Sequence, residues 1–223
     1  LDKPTGWFIF GEPKQSAAMK KSEQTRRHII EKAAVLFNTK GFHGTSIGDI
    51  MAATGLTKGG IYGNFKKEGR DKKGVKEEIA VAAFEHAVQV VWEEVRRRTK
   101  VIENTLDKLK SVVYFYKERC LNPPVDGGCP IQNTAVEAAD NHPVLREKVL
   151  EVLAFWRRRI VETLEEGKRK GEVRPDVDSA EFAVLFIGML EGGILLSRVE
   201  KNIEAFGVMS RRLLAMIEEL RPV

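Results

Sequence analysis

The 223-residue sequence is short of the residues that would tie it to several common functions. Two cysteines are too few for a disulfide scaffold at this length, and their scarcity points to a reducing compartment. Four histidines, His28, His43, His86 and His142, are scattered without the close spacing of a zinc site. Neither a nucleophile elbow nor a phosphate-cradling glycine loop is found, so no motif argues for an enzyme and none calls for a cofactor. The longest apolar run, residues 182–190, stops at Glu191, well short of a bilayer span. The first residues lack the basic segment and apolar core of a signal peptide. No alternation of apolar and polar residues persists, and no internal repeat is visible. These absences leave an all-α cytoplasmic protein, free of the membrane, long enough to bury a real core.

What is present is unevenly placed. The net charge is +5, yet residues 1–73 hold 14 Lys and Arg against 7 Asp and Glu, a net of +7. The remainder carries 23 against 25, a net of −2. A basic first third on a near-neutral body suits a polyanion-binding module joined to something else; a solvated surface is the competing reading.

Residues 1–18 contain two prolines, two glycines and no helical period, so the segment 1–21 reads as a loose leader, with Met19 a candidate start. From Ser22 the pattern is helical. Ile29, Ile30, Ala33, Leu36 and Phe37 share one face, and Gly41 is a plausible stop. Thr45-Ser46 offers N-cap chemistry for a short helix over residues 47–53, Gly55 breaks it, and Thr57 can cap another over 58–65. Three short helices with such tight turns form a compact helix-turn-helix unit, assigned with its basic linker to residues 22–75. Beyond it, helices are expected over 76–98, 104–120, 131–139, from Pro143 to near Gly171, 179–197 and 202–220. The clearest loop, residues 122–130 (NPPVDGGCP), separates the second and third of these. Residues 76–223 make the second domain.

Residues 25–66 carry the argument: TRRHIIEKAAVLFNTKGFHGTSIGDIMAATGLTKGGIYGNFK. In order and spacing the apolar run 29–37, Gly41-Phe42, Thr45-Ser46, Ile50-Ala52 and the stretch 55–65 resemble the DNA-binding domain of the TetR/AcrR regulators. The resemblance implies a DNA-binding transcriptional regulator, most simply a repressor released by a small-molecule effector, that binds a pseudo-palindromic operator as a homodimer. A helical adaptor and a small enzyme without a recognisable motif remain as alternatives. In a helix-turn-helix the second helix enters the major groove. Thr45, Thr57, Tyr62 and Lys66 suit phosphate contact, Ser46 is a further expected DNA contact, and Lys58 and Asn64 suit base edges, with a plain phosphate contact open for Lys58. Gly59 and Gly60 cost helix propensity, and either close approach to DNA or tight packing inside the motif explains them. The stretch KKEGRDKKGV after the motif departs from the family pattern as an inserted loop, whose Lys67, Arg70, Lys72 and Lys73 either meet phosphates or are solvated.

The stretch GGCPIQNTAVE, followed by a tryptophan-bearing helix, is similar to effector-binding domains of one branch of the family. That resemblance implies a pocket lined by Tyr114, Phe115, Gln132, Asn133, Glu137 and Trp156, suited to a largely apolar effector with one or two polar handles. Cys120 and Cys129 flank the loop as a redox-responsive pair or as reduced thiols. Residues 179–197 are apolar on most sides and need cover all round. A second copy is the economical cover, with Phe182, Phe186, Leu190, Gly192, Gly193, Leu213 and Ile217 as the expected dimer contacts.

Overall fold

The computed structural model describes residues 20–65 and 74–222. The expectations for the leader, for Lys66 and for the inserted loop lie outside the described residues. Among those described, nine helices and no strands are found: α1 (Lys21–Gly44), α2 (Ile47–Thr54), α3 (Lys58–Phe65), α4 (Gly74–Thr99), α5 (Thr105–Arg119), α6 (Pro130–Asn141), α7 (Pro143–Arg169), α8 (Ser179–Glu200) and α9 (Glu204–Glu218).

Local chemistry starts and stops these helices. Ser46 accepts the Asp49 N–H while Asp49 reaches back to the Ser46 N–H at 2.8 Å, a reciprocal capping box that opens α2. Gly55, left-handed at φ 70°, closes it. Asn104 caps α5, His142 Nδ1 accepts the Leu145 N–H ahead of Pro143 in α7, and Asp178 takes two N–H groups at the start of α8. The chain leaves helical geometry at Gly41 (φ 74°, ψ 173°), so the stop expected there is a kink inside α1.

Two cores result. The head core gathers Ile29, Ala33, Ile50, Ile61, Phe65, Val75 and Ile79 from α1 to α4. The body core gathers residues of α4, α5, α7, α8 and α9, among them Leu106, Trp156, Leu164, Phe186, Phe206 and Leu213. α4 belongs to both: Val75, Ile79, Ala83 and Ala87 pack into the head, and Val88 and Val91 into the body. A division before Lys76 therefore falls within a helix that ties the two halves together.

α8 is the one helix among the described residues long and apolar enough, by length and composition, to cross a membrane. One side of it is core: Phe182, Phe186, Leu190, Gly193 and Ser197 are buried. The Ser197 hydroxyl accepts the Phe206 N–H at 2.9 Å, fixing α8 against α9. The other side is uncovered and aliphatic, with Val184, Leu185, Leu195, Leu196 and Val199 exposed.

Candidate functional site

α3 is held from behind and open in front. Ile61 and Phe65 are buried in the head core, which leaves Lys58, Gly59 and Gly63 outside. Arg26 of α1 anchors the far end of α3. Its guanidinium donates to the Asn64 carbonyl at 2.7 Å, pairs with Glu78 at 3.3 Å and lies 4.1 Å over the Phe65 ring. A cation at a helix C-terminus also opposes the partial negative charge of its free carbonyls. α2 is braced by the pair between Lys40 and Asp49 at 2.9 Å; Lys40, then Ser46, holds that carboxyl well below the usual carboxylate range.

Among the described residues, no neighbour requires the glycines of α3. A Cβ at Gly63 would meet nothing within 4 Å, and one at Gly59 only Thr57 Oγ1 at 3.9 Å. A Cβ at Gly60 would make ordinary contacts of 3.6 Å with Leu56 and Thr57. Tight packing within the motif therefore does not explain Gly59 or Gly60, although each costs about 1 kcal/mol relative to Ala in a helix interior.

The other motif residues divide by what already occupies them. Lys58 is exposed with its Nζ 5.8 Å from the Tyr62 ring centroid, and Tyr62 is half-buried. The Thr57 hydroxyl accepts the Gly60 N–H at 3.3 Å and stays at the surface, as does Ser46. Thr45 is a correction. It is buried, and its hydroxyl donates to the Gly41 carbonyl at 2.8 Å, so it holds the turn after α1 and cannot meet a phosphate. The Asp three residues after Ser46 is the sequence signal that singles out Ser46, not Thr45, as the cap. Asn64 turns its amide back onto its own helix, donating to the Gly60 carbonyl at 2.8 Å. In this state it is not aimed at a base edge. Arg26, the main anchor of α3, escaped the sequence reading because its partners lie 38 and 52 residues away.

In the body, α4, α5, α6, α8 and the loop before α6 enclose a cleft of about 470 Å³, counted with its open mouth. Trp92, Phe115, Tyr116, Ile131 and Ile194 make its walls apolar, and Arg119, whose guanidinium pairs with Glu94 at 3.3 Å, is also among its lining residues. Both cysteines line it as free thiols, and burial pushes both up from the ordinary thiol value. Cys129 donates to Glu191 Oε1 at 3.1 Å. Burial raises the Glu191 carboxyl from 4.5 to about 7, against the opposing pull of the thiol bond.

Only Phe115 of the six expected pocket residues lines this cleft. Tyr114 is exposed on the opposite side of α5. Trp156 is buried behind the wall, its ring stacked on Tyr116 at 6.0 Å. Gln132 donates to the Glu191 carbonyl at 3.1 Å, while Asn133 and Glu137 face the head. The physical reason is the direction of α6. The cleft sits at its first turn, and the polar face of the helix is spent on neighbouring elements.

The expected dimer contacts also need correction. Phe182, Phe186, Leu190, Leu213 and Ile217 are buried in the core of this chain, and a Cβ on Gly193 would lie 2.9 Å from Phe206. Large side chains find most contact inside, so the outward face of α8 is left to Val184, Leu185, Leu195, Leu196 and Val199 around Gly188 and Gly192, with Val208 exposed on α9. Of the seven expected residues Gly192 alone looks outward: a Cβ there meets nothing.

Comparison with known proteins matches both halves. Residues 29–68 fit the family described as bacterial regulatory proteins, tetR family, and residues 105–213 fit the tetracyclin repressor-like C-terminal domain. A TetR transcriptional regulator from Chloroflexus aurantiacus superposes with a TM-score of 0.82 at 38% identity, over 90% of this chain and 97% of that one. A TetR-family regulator from Cytophaga hutchinsonii gives 0.82 at 32% identity, over 93% and 100%. The transcriptional repressor DhaR of a Mycobacterium species is 26% identical over 185 residues, 80% of this chain and 85% of that protein. An anchored helix with a bare glycine face, two matched domains and whole-length relatives lead to one conclusion: this chain belongs to the TetR family and is a DNA-binding transcriptional regulator.

Proposed function

We propose that the chain is a homodimeric repressor that lays α3 of each protomer into successive major grooves of a pseudo-palindromic operator and leaves it when a small molecule fills the cleft. The observation that carries the reading is the face of α3. Glycines that no neighbour among the described residues requires, beside Lys58 and Thr57 at the start of the helix, let the backbone approach DNA closely and point N–H groups at phosphate. Lys58 is assigned to a base edge or phosphate, and Thr57, Ser46 and Tyr62 to the DNA backbone.

The second copy covers the outward face of α8, and two symmetric heads call for two half-sites. Covering that face in a dimer also accounts for its apolar character without a membrane. The effector is mostly apolar with one polar group, matched by the aromatic wall and Arg119. The site of action is the cytoplasm.

A gel shift on fragments selected from genomic DNA, repeated over a range of salt, tests the reading. Specific binding that weakens steeply with salt is expected. Failure to prefer any fragment, with the chain folded and dimeric, rules it out.

A further inference from the structure

Three polar side chains bridge head and body along the seam where α1 meets α6. Asn133 on α6 shares its amide hydrogens among the Asn38 carbonyl at 3.0 Å, Asn38 Oδ1 at 2.9 Å and the Gly127 carbonyl at 2.8 Å. Asn38 on α1 returns its own amide to the carbonyls of Asp126 at 2.9 Å and Gly128 at 3.1 Å. One turn further along α6, the Glu137 carboxylate takes the Phe42 N–H at 2.5 Å and the His43 N–H at 2.7 Å.

Two glycines permit this closeness. A Cβ on Gly41 would sit 2.6 Å from Glu137 Oε2, and one on Gly127 2.4 Å from the Asn38 carbonyl oxygen. Both have positive φ, so neither position accommodates a side chain. A recess of about 380 Å³, counted with its open mouth, lies along the seam, walled by Ala34, Ala80, Ala83 and Ala87 among others. Beside it, Phe37 and Phe42 of α1 pack against Ala80, Ala138 and Leu145, so directional hydrogen bonds and this small apolar cluster together set the angle of the head.

The same stretch of chain serves the cleft. Gly128, Cys129 and Ile131 line the cleft, while Gly127 and Asn133, their neighbours in sequence, hold the head. We propose that Asn38, Asn133 and Glu137 are a clamp through which occupancy of the cleft is passed to α3. They are positioning residues and touch neither DNA nor effector. A guest pressing on the first turn of α6 displaces residues 126–133 and with them the acceptors of Asn38 and the donor amide of Asn133. Hydrogen bonds weaken steeply with angle, so a small displacement releases the head. This inference rests on the reading of the cleft as the effector site, and its test separates the two.

The test replaces the unidentified effector with a larger wall residue. Ile194→Phe, with Val91→Leu as a second filling variant, is made in the wild-type chain and in an Asn133→Ala/Glu137→Ala chain. Binding to a genomically selected fragment is then measured for each, with folding and dimerisation checked by thermal melts and sedimentation. Filling is expected to weaken DNA binding about tenfold in the wild-type chain and less than about twofold once the clamp is gone. An equal loss in both chains overturns the clamp and leaves the cleft reading standing; no loss in either overturns the cleft reading. Amide exchange then decides the clamp on its own. The Phe42 and His43 amides are expected to exchange about tenfold faster or more in Glu137→Ala, and at an intermediate rate in Glu137→Gln, with the α1–α3 core amides unchanged. Unaltered exchange at those two amides overturns the clamp whatever the DNA measurements give.

Discussion

α3 and α8 each turn a glycine-interrupted face outward, and the two faces differ in what surrounds the glycines. On α3, Gly59 and Gly63 stand beside Lys58 and Thr57, a cation and a hydroxyl at a helix start. On α8, Gly188 and Gly192 stand among Val184, Leu185, Leu195, Leu196 and Val199. In all four places a Cβ would meet no close neighbour among the described residues, so packing within them does not call for glycine. In the reading proposed above, the same device, a bare backbone that admits a close partner, serves a polyanion on one helix and a second copy of an aliphatic face on the other. Gly193 shows the contrast within one helix. Its missing Cβ makes room for Phe206, and its role is internal.

Substitutions can break this comparison, and the largest effect is expected from Gly192→Arg. A guanidinium on the outward face of α8 buries an unpaired charge between protomers, so the dimer should dissociate in sedimentation. Fragment binding should then fall by about 100-fold or more as the second half-site is lost. A mutant that stays dimeric removes this face as the interface. Gly63→Ala is expected to act in opposite directions on two properties. It should raise the melting temperature, because it adds up to about 1 kcal/mol of helix propensity without a clash, and weaken fragment binding about tenfold. Unchanged binding would mean that α3 does not approach DNA closely. Gly193→Ala should instead lower stability by about 1–3 kcal/mol through its contact with Phe206, while folded protein remains dimeric.

The smallest effect concerns Glu191. Its folded-state carboxyl titrates near 7 against an ordinary 4.5, so the folded chain binds the extra proton between these values. Stability therefore falls as pH rises from about 4.5 to 7, by on the order of 1–3 kcal/mol in all. Glu191→Gln should flatten that slope in chemical denaturation and be the more stable chain at pH 8. An unaltered slope would place the titration elsewhere.

How much of this was legible in the sequence follows from how local each feature is. The head's short helices are written in neighbouring residues: Ser46 with Asp49, Gly55 in a left-handed turn, Thr57 before Gly60. The pattern over residues 25–66 therefore gave the elements, but not that Thr45 is buried or that Asn64 turns back onto the Gly60 carbonyl. The greasy character of α8 was equally plain. Which side of it faces out was not, because that depends on Ser197 and Gly193 meeting α9. The cleft was least legible. Its walls come from four helices and a loop, and the amides and carboxylate that looked like ligand contacts, Gln132, Asn133 and Glu137, are matched to backbone groups 59 to 95 residues away. No periodicity within α6 shows which neighbour each side chain will find.

Fluorescence anisotropy on a genomically selected fragment, titrated at several salt concentrations with stoichiometry fixed by sedimentation, tests the central claim most directly. Two heads reading one operator require two protomers, or a multiple of two, per fragment. They also require a log affinity that falls linearly with log salt, with a slope of several units. One protomer per fragment, or an affinity indifferent to salt, would contradict the account.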